Sequence, residues 1–139
     1  MTISRIATVL SLIGAAFILY IGISYLVTPE TTATGFGLPE WPKGDAVAFM
    51  NLKGVRDIVS GLIILVLLAT KQRYALGIVT LVIALVPIGD MLTVLSWGGS
   101  TAAAFGIHGL TAALVAVTGV LLIRERTVAN RQERAEVKA

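Results

Sequence analysis

Four apolar runs, each close to the roughly 20 residues that an α-helix needs to cross a hydrocarbon core, constrain this chain more than any other feature. They cover about Ile6–Val27, Ala46–Ala69, Tyr74–Leu95 and Ala102–Ile123. Lipid offers a backbone no hydrogen bonds, so such segments must satisfy their own N–H and C=O groups as helices. Of the 139 residues, 56% are hydrophobic and 14% charged, whereas a soluble domain carries about 25% charged residues. The mean hydropathy is +0.89. The expected fold is all-α: a membrane-embedded four-helix bundle over residues 1–123, followed by a charged tail over 124–139. The first run exceeds the apolar stretch of a signal peptide and no A-x-A site follows it, so it is expected to be retained as a span.

The connections carry the topology. Thr28–Asp45 holds Pro29, Pro39, Pro42 and three glycines and reads as a structured or partly re-entrant loop rather than a helix. Asp45 precedes an apolar run, as an N-cap does. Thr70–Arg73 and Ser96–Thr101 read as tight turns. With four spans, Arg5, Lys71, Arg73, Arg124, Arg126, Arg131, Arg134 and Lys138 share one side, against Lys43 on the other. The positive-inside rule then makes both termini cytoplasmic, in a multi-pass protein of the cell membrane. Trp41 and Trp97 fall at the outer interface and Tyr74 at the inner one.

Several chemistries are excluded. The chain has no cysteine, hence no disulfide, thiolate metal site or thiol redox centre. The net charge of +3 is not gathered into a patch beside stacking aromatics, so no nucleic-acid partner is expected. No phosphate loop, dinucleotide fingerprint or nucleophile elbow is present. One His and two Asp supply enough ligands for a mononuclear metal, but two neighbouring cations oppose a divalent ion. With a single His, haem is also unexpected, so no metal or cofactor is assigned.

What remains is charge inside apolar helices. At about 1.5 Å per residue, Lys53, Arg56 and Asp57 lie roughly 10–16 Å below the outer start of the second span, Asp90 about 8 Å and His108 about 9 Å below theirs. Tyr20 and Ser24 of the first span lie at a similar level. Polar groups from all four spans therefore meet in one layer of the outer half. Ionisable groups within a span face the bundle interior and pair, and they mark function by default. Lys53 and Asp57 share a helix face at i, i+4, and Arg56 is in reach of Asp90. Pro87 and Gly89 are placed to kink the third span beside Asp90. The plainer reading is that Lys53 and Arg56 snorkel to the headgroups, with the aspartates as structural partners and His108 as a packing residue.

The "YIGISYLVTPE…FGLP" section, "KGVRDIVSGL", and the later Asp90 and His108 resemble the small four-helix membrane proteins catalogued as domain of unknown function 4267. The resemblance spans Ile6 to Ile123. It implies a four-helix bundle with a polar core and no settled activity.

The expected function is acid–base chemistry on a small lipophilic substrate arriving from the bilayer or the outer side. Water addition to an epoxide, or a related hydrolysis or isomerisation, fits two carboxylates around a cation. The candidate catalytic residues are Asp57 or Asp90 as base, Arg56 as orienter, and the other aspartate or His108 as proton donor. Tyr20, Ser24, Lys53 and Asn51 are the candidate substrate contacts. The "GFGLPEW" loop is placed to cover the mouth. The alternative is a non-catalytic binding or transport module among membrane lipids, possibly a homo-oligomer associating through Gly14, Gly22, Gly61, Gly77 and Gly119.

Overall fold

A computed structural model describes residues 2–136, with side chains described up to Glu125 and at Thr127. The side chains of Arg126, Arg131 and Arg134, and all of Lys138, lie outside that description. Among the described residues there is no strand. The helices are α1 (Ile3–Val27), α2 (Pro29–Thr34), α3 (Ala48–Ala69), α4 (Arg73–Ile83), α5 (Leu85–Ser96), α6 (Thr101–Ala103) and α7 (Leu110–Glu136). A 3₁₀ turn, Gly44–Val47, leads into α3, and a π-helical turn, Ala104–Gly109, joins α6 to α7.

Three stretches, Ile3–Val27, Arg73–Ser96 and Thr101–Glu125, are long and apolar enough to cross a membrane. Their large side chains face outward: Val27 is 72% exposed, Leu85 63% and Val82 61%. An apolar surface this continuous is tolerable in lipid and not in water. The chain is therefore of membrane type. Helix α3 differs because Lys53, Arg56 and Asp57 crowd its first half, ahead of a second half that is apolar but for Ser60.

Inside the bundle, glycine sets the distances. Helix α1 lies along α3, and α4 lies along α7. At the first crossing a Cβ on Gly22 would stand 2.8 Å from the Gly54 carbonyl oxygen, and one on Gly54 would stand 2.7 Å from that of Gly22. Gly77 and Gly119 form the same reciprocal contact at the second crossing. Without a hydrophobic driving force in lipid, such close backbone approach is what holds helices together. The glycines Gly22, Gly61, Gly77 and Gly119, expected to support association between copies, are thus packed within the chain; Gly14 meets nothing within 4 Å.

The end of the bundle near the chain termini is tied by Arg73. Its guanidinium donates to Glu125 Oε2 at 2.8 and 3.0 Å, to Thr8 Oγ1 at 3.0 Å and to the Ser4 carbonyl at 3.1 Å. One side chain so joins α1, α4 and α7, in the fork geometry that Arg provides and Lys does not.

Local differences from the sequence expectation have clear causes. The Thr28–Asp45 segment contains a helical turn, α2, because Pro29 occupies its first position, where a missing N–H costs nothing. Asp45 does not cap α3: it lies inside the 3₁₀ turn, whose leading residue is Lys43. The third span is interrupted at Ala84, one turn before Pro87, whose ring excludes the carbonyl of residue 83 from a normal helical bond. Helix α7 runs through residue 123 without a break, so the boundary expected there between core and tail is not marked by a helix end.

Candidate polar site

At the other end of the bundle, Lys53 gathers the buried charges. Its Nζ donates to Asp57 Oδ2 at 2.8 Å and stands 4.0 Å from Asp90 Oδ2. The Asp57 side chain is only 6% exposed, while Lys53 and Asp90 keep 27% and 26%. Two rings complete the surround of the ammonium, with Tyr25 centred 5.0 Å away and Phe36 5.6 Å away. Both are within the roughly 6 Å over which a ring face attracts a cation. Helix α3 brings Lys53 and Asp57 together by its own periodicity. Asp90 arrives from α5, across the bundle.

His108 enters from the π-helical turn, a distortion that often marks functional positions. It is buried, and its Nε2 lies 2.8 Å from the Phe36 carbonyl oxygen. A carbonyl only accepts, so Nε2 carries a proton. The other nitrogen, Nδ1, faces Asp90 Oδ2 at 4.0 Å. That separation exceeds a hydrogen bond, leaving a carboxylate and an imidazole facing each other across a short gap. The Phe36 ring also packs on the imidazole, with centroids 4.6 Å apart and planes tilted by 54°.

Four of the expected residues, Lys53, Asp57, Asp90 and His108, thus come together in space, from the second, third and fourth apolar runs; the residues expected from the first run do not join them. The other four take different positions. Arg56 does not reach Asp90. It is exposed and, among the described residues, forms no ion pair; Lys53, about 60° away around the helix, is the base that stands beside Asp90. Tyr20 is 67% exposed and lies off the buried face of α1. The Ser24 hydroxyl is occupied by the Tyr20 carbonyl of its own helix. The Asn51 amide donates to the Tyr25 carbonyl at 3.1 Å, replacing the donor that Pro29, four residues on, lacks.

Tyr25 and Phe36 were not among the expected residues. For Tyr25 a signal existed. The buried face of α1 is Ala7, Ser11, Ala15, Gly22 and Tyr25, a stripe of small residues at helical spacing that Tyr20 does not share. For Phe36 no spacing rule applies, because its position depends on how the 28–45 segment folds back. Trp41, expected at the interface, packs on the Tyr25, Ala33 and Met50 cluster, whereas Trp97 is exposed. A cleft of about 370 Å³ lies beside the same loop, lined by Leu38, Pro39, Glu40, Thr93 and Trp97. None of the clustered charges lines it.

The fold and this cluster define a helical membrane-type protein with a lysine–aspartate–histidine centre enclosed by its helices. The chain belongs to the family described as Domain of unknown function (DUF4267), which matches residues 15–122. That match takes in every residue of the cluster. No curated protein and no solved structure matches the chain.

Proposed function

We propose that the cluster is a proton-transfer site acting on a small lipophilic substrate. The carrying observation is the gap of 4.0 Å between His108 Nδ1 and Asp90 Oδ2. Asp57 is neutralised directly by Lys53 and serves to hold that cation. Asp90 is less tightly held, and it is the carboxylate free to accept a proton. In water addition to an epoxide, Asp90 would take a proton from water as its oxygen bonds to carbon and the ring C–O bond breaks. Protonated His108 would give its Nδ1 proton to the resulting alkoxide. Transfer from Asp90 to His108 then restores both groups, and the balance is water plus epoxide to diol. Lys53 supports the developing negative charge.

The site would sit in a four-span bundle of the cell membrane, with α3 as the remaining span and both termini cytoplasmic. Lys53 and Arg56 near the outer end of α3 make that span tolerable. A transport module would need the polar layer to continue through the bundle. Ala7, Ala15, Ile64, Leu76 and Leu122 instead form a packed apolar core toward the terminal end. The buried hydroxyls of Ser11 and Thr118 there are occupied by carbonyls of their own helices.

The test is turnover of a panel of small epoxides and esters by purified protein in lipid nanodiscs. Asp90→Asn is expected to lower the rate by about 10²–10⁴-fold, while Tyr20→Phe leaves it unchanged. Equal turnover by wild type, Asp57→Asn and Asp90→Asn would refute the acid–base reading.

A further inference from the structure

We infer that the Phe36 carbonyl is a positioning group that decides which nitrogen of His108 faces Asp90, so that seating of the 35–41 loop readies the site. The inference rests on the proton-transfer reading and deepens it. A neutral imidazole has one N–H. Placed beside a carboxylate, it would turn that N–H toward the charge, and Nδ1–H would then simply donate to Asp90. The Phe36 carbonyl, at 2.8 Å, claims the proton for Nε2 instead. Nδ1 is left with its lone pair toward Asp90, able to take up a proton and hand it on. Backbone or carboxylate partners commonly fix an imidazole tautomer in this way.

The loop that carries Phe36 is itself anchored. The Gly37 carbonyl accepts from the Ser100 N–H at 2.8 Å. Gly37 has φ +99°, and a Cβ there would fall 2.5 Å from that of Ala103. Gly99 is pressed against the Gly37 carbonyl so closely that no side chain fits. Gly37 and the Gly98–Gly99 turn therefore set the height of Phe36 above His108. A substrate that lifts this loop to enter releases Nε2; once the loop returns, the neutral imidazole left after proton donation again points its Nδ1 lone pair at Asp90, ready to take back the proton.

The single histidine of the chain makes the inference directly readable. Imidazole ¹⁵N spectra, recorded at a pH where His108 is neutral, are expected to show the Nε2–H form in wild type. Gly37→Ala, which cannot seat the loop, is expected to raise the Nδ1–H population several-fold. Phe36→Leu keeps the carbonyl and should keep the wild-type tautomer. Gly35→Ala, whose Cβ would meet only the Thr32 carbonyl at 3.7 Å, should do the same. Should Gly37→Ala fail to fold, Ser100→Pro is the second lever, since Ser100 has φ −66° and proline removes only the N–H that holds Gly37 and the capping hydroxyl. An unchanged tautomer in the variant with faster amide exchange around the loop, or a mixture already in wild type, would overturn the inference. The spectra need no substrate, so that outcome is separate from loss or retention of turnover in Asp90→Asn.

Discussion

Residue by residue, the decisive feature is that one ammonium serves two carboxylates. Asp57 is almost wholly enclosed, and a buried carboxylate without a partner is among the costliest defects a fold can hold. Lys53→Met is accordingly expected to destabilise the protein by an amount toward the lower end of about 3–5 kcal/mol. The lower end applies because Lys53 keeps 27% of its side chain exposed and water compensates in part. The double variant Lys53→Met/Asp57→Leu should recover most of that loss in thermal unfolding in detergent, since removing both charges leaves no orphan. Arg56→Met should change stability far less. The sequence pairing of Lys53 with Asp57 was legible from i, i+4 spacing alone. The choice between Lys53 and Arg56 as partner of Asp90 was not, because it depends on how α3 is rotated against α5.

Among the elements, the two helix stops are the clearest comparison. Helices α3 and α5 end in the same Schellman arrangement. After α3, Gln72 N–H bonds the Leu67 carbonyl at 2.9 Å and Lys71 N–H that of Leu68 at 3.1 Å; after α5, Gly99 bonds Val94 at 2.8 Å and Gly98 bonds Leu95 at 3.2 Å. The left-handed position is held by Lys71 at φ 58° in one and by Gly98 at φ 68° in the other. A lysine there bears the steric penalty that glycine avoids. Lys71→Gly is therefore expected to stabilise by about 1 kcal/mol, read as a rise in the unfolding midpoint, and Gly98→Lys should lower it. The glycines of "SWGGST" announced the second stop in the sequence. The polar "TKQR" announced the first stop as a turn too, but not that Lys71 takes the left-handed position, since lysine seldom adopts this conformation. The π-helical turn that places His108 was likewise not legible, as its apolar flanks fit an ordinary helix equally well.

For the molecule as a whole, the two ends of the bundle divide the labour. The terminal end is closed by Arg73, Glu125, Thr8 and Ser4, whose polar groups satisfy one another. The opposite end carries the lysine–aspartate–histidine cluster beneath a glycine-seated loop. The absence of cysteine allows a direct topology test with single-cysteine variants. Glu40→Cys, in the exposed loop, is expected to react with a membrane-impermeant maleimide on intact cells. Lys71→Cys, in the exposed turn near the terminal end, should react only after permeabilisation, and the reverse pattern would place the cluster in the inner leaflet. From the sequence alone came four apolar runs, of which three stretches prove long and apolar enough to span a membrane, and the grouping of Lys53, Asp57, Asp90 and His108, because hydropathy and a fixed helical rise determine these. Tertiary structure alone decided that Phe36 folds over the cluster and that Arg56 stays outside it, and it turned the small-residue stripe ending at Tyr25, not Tyr20 and Ser24, inward. The reason is physical: in lipid, Leu and Ile are as stable outside a helix bundle as inside, so apolar pattern does not reveal which face turns inward. Close glycine crossings and a folded-back loop make that choice.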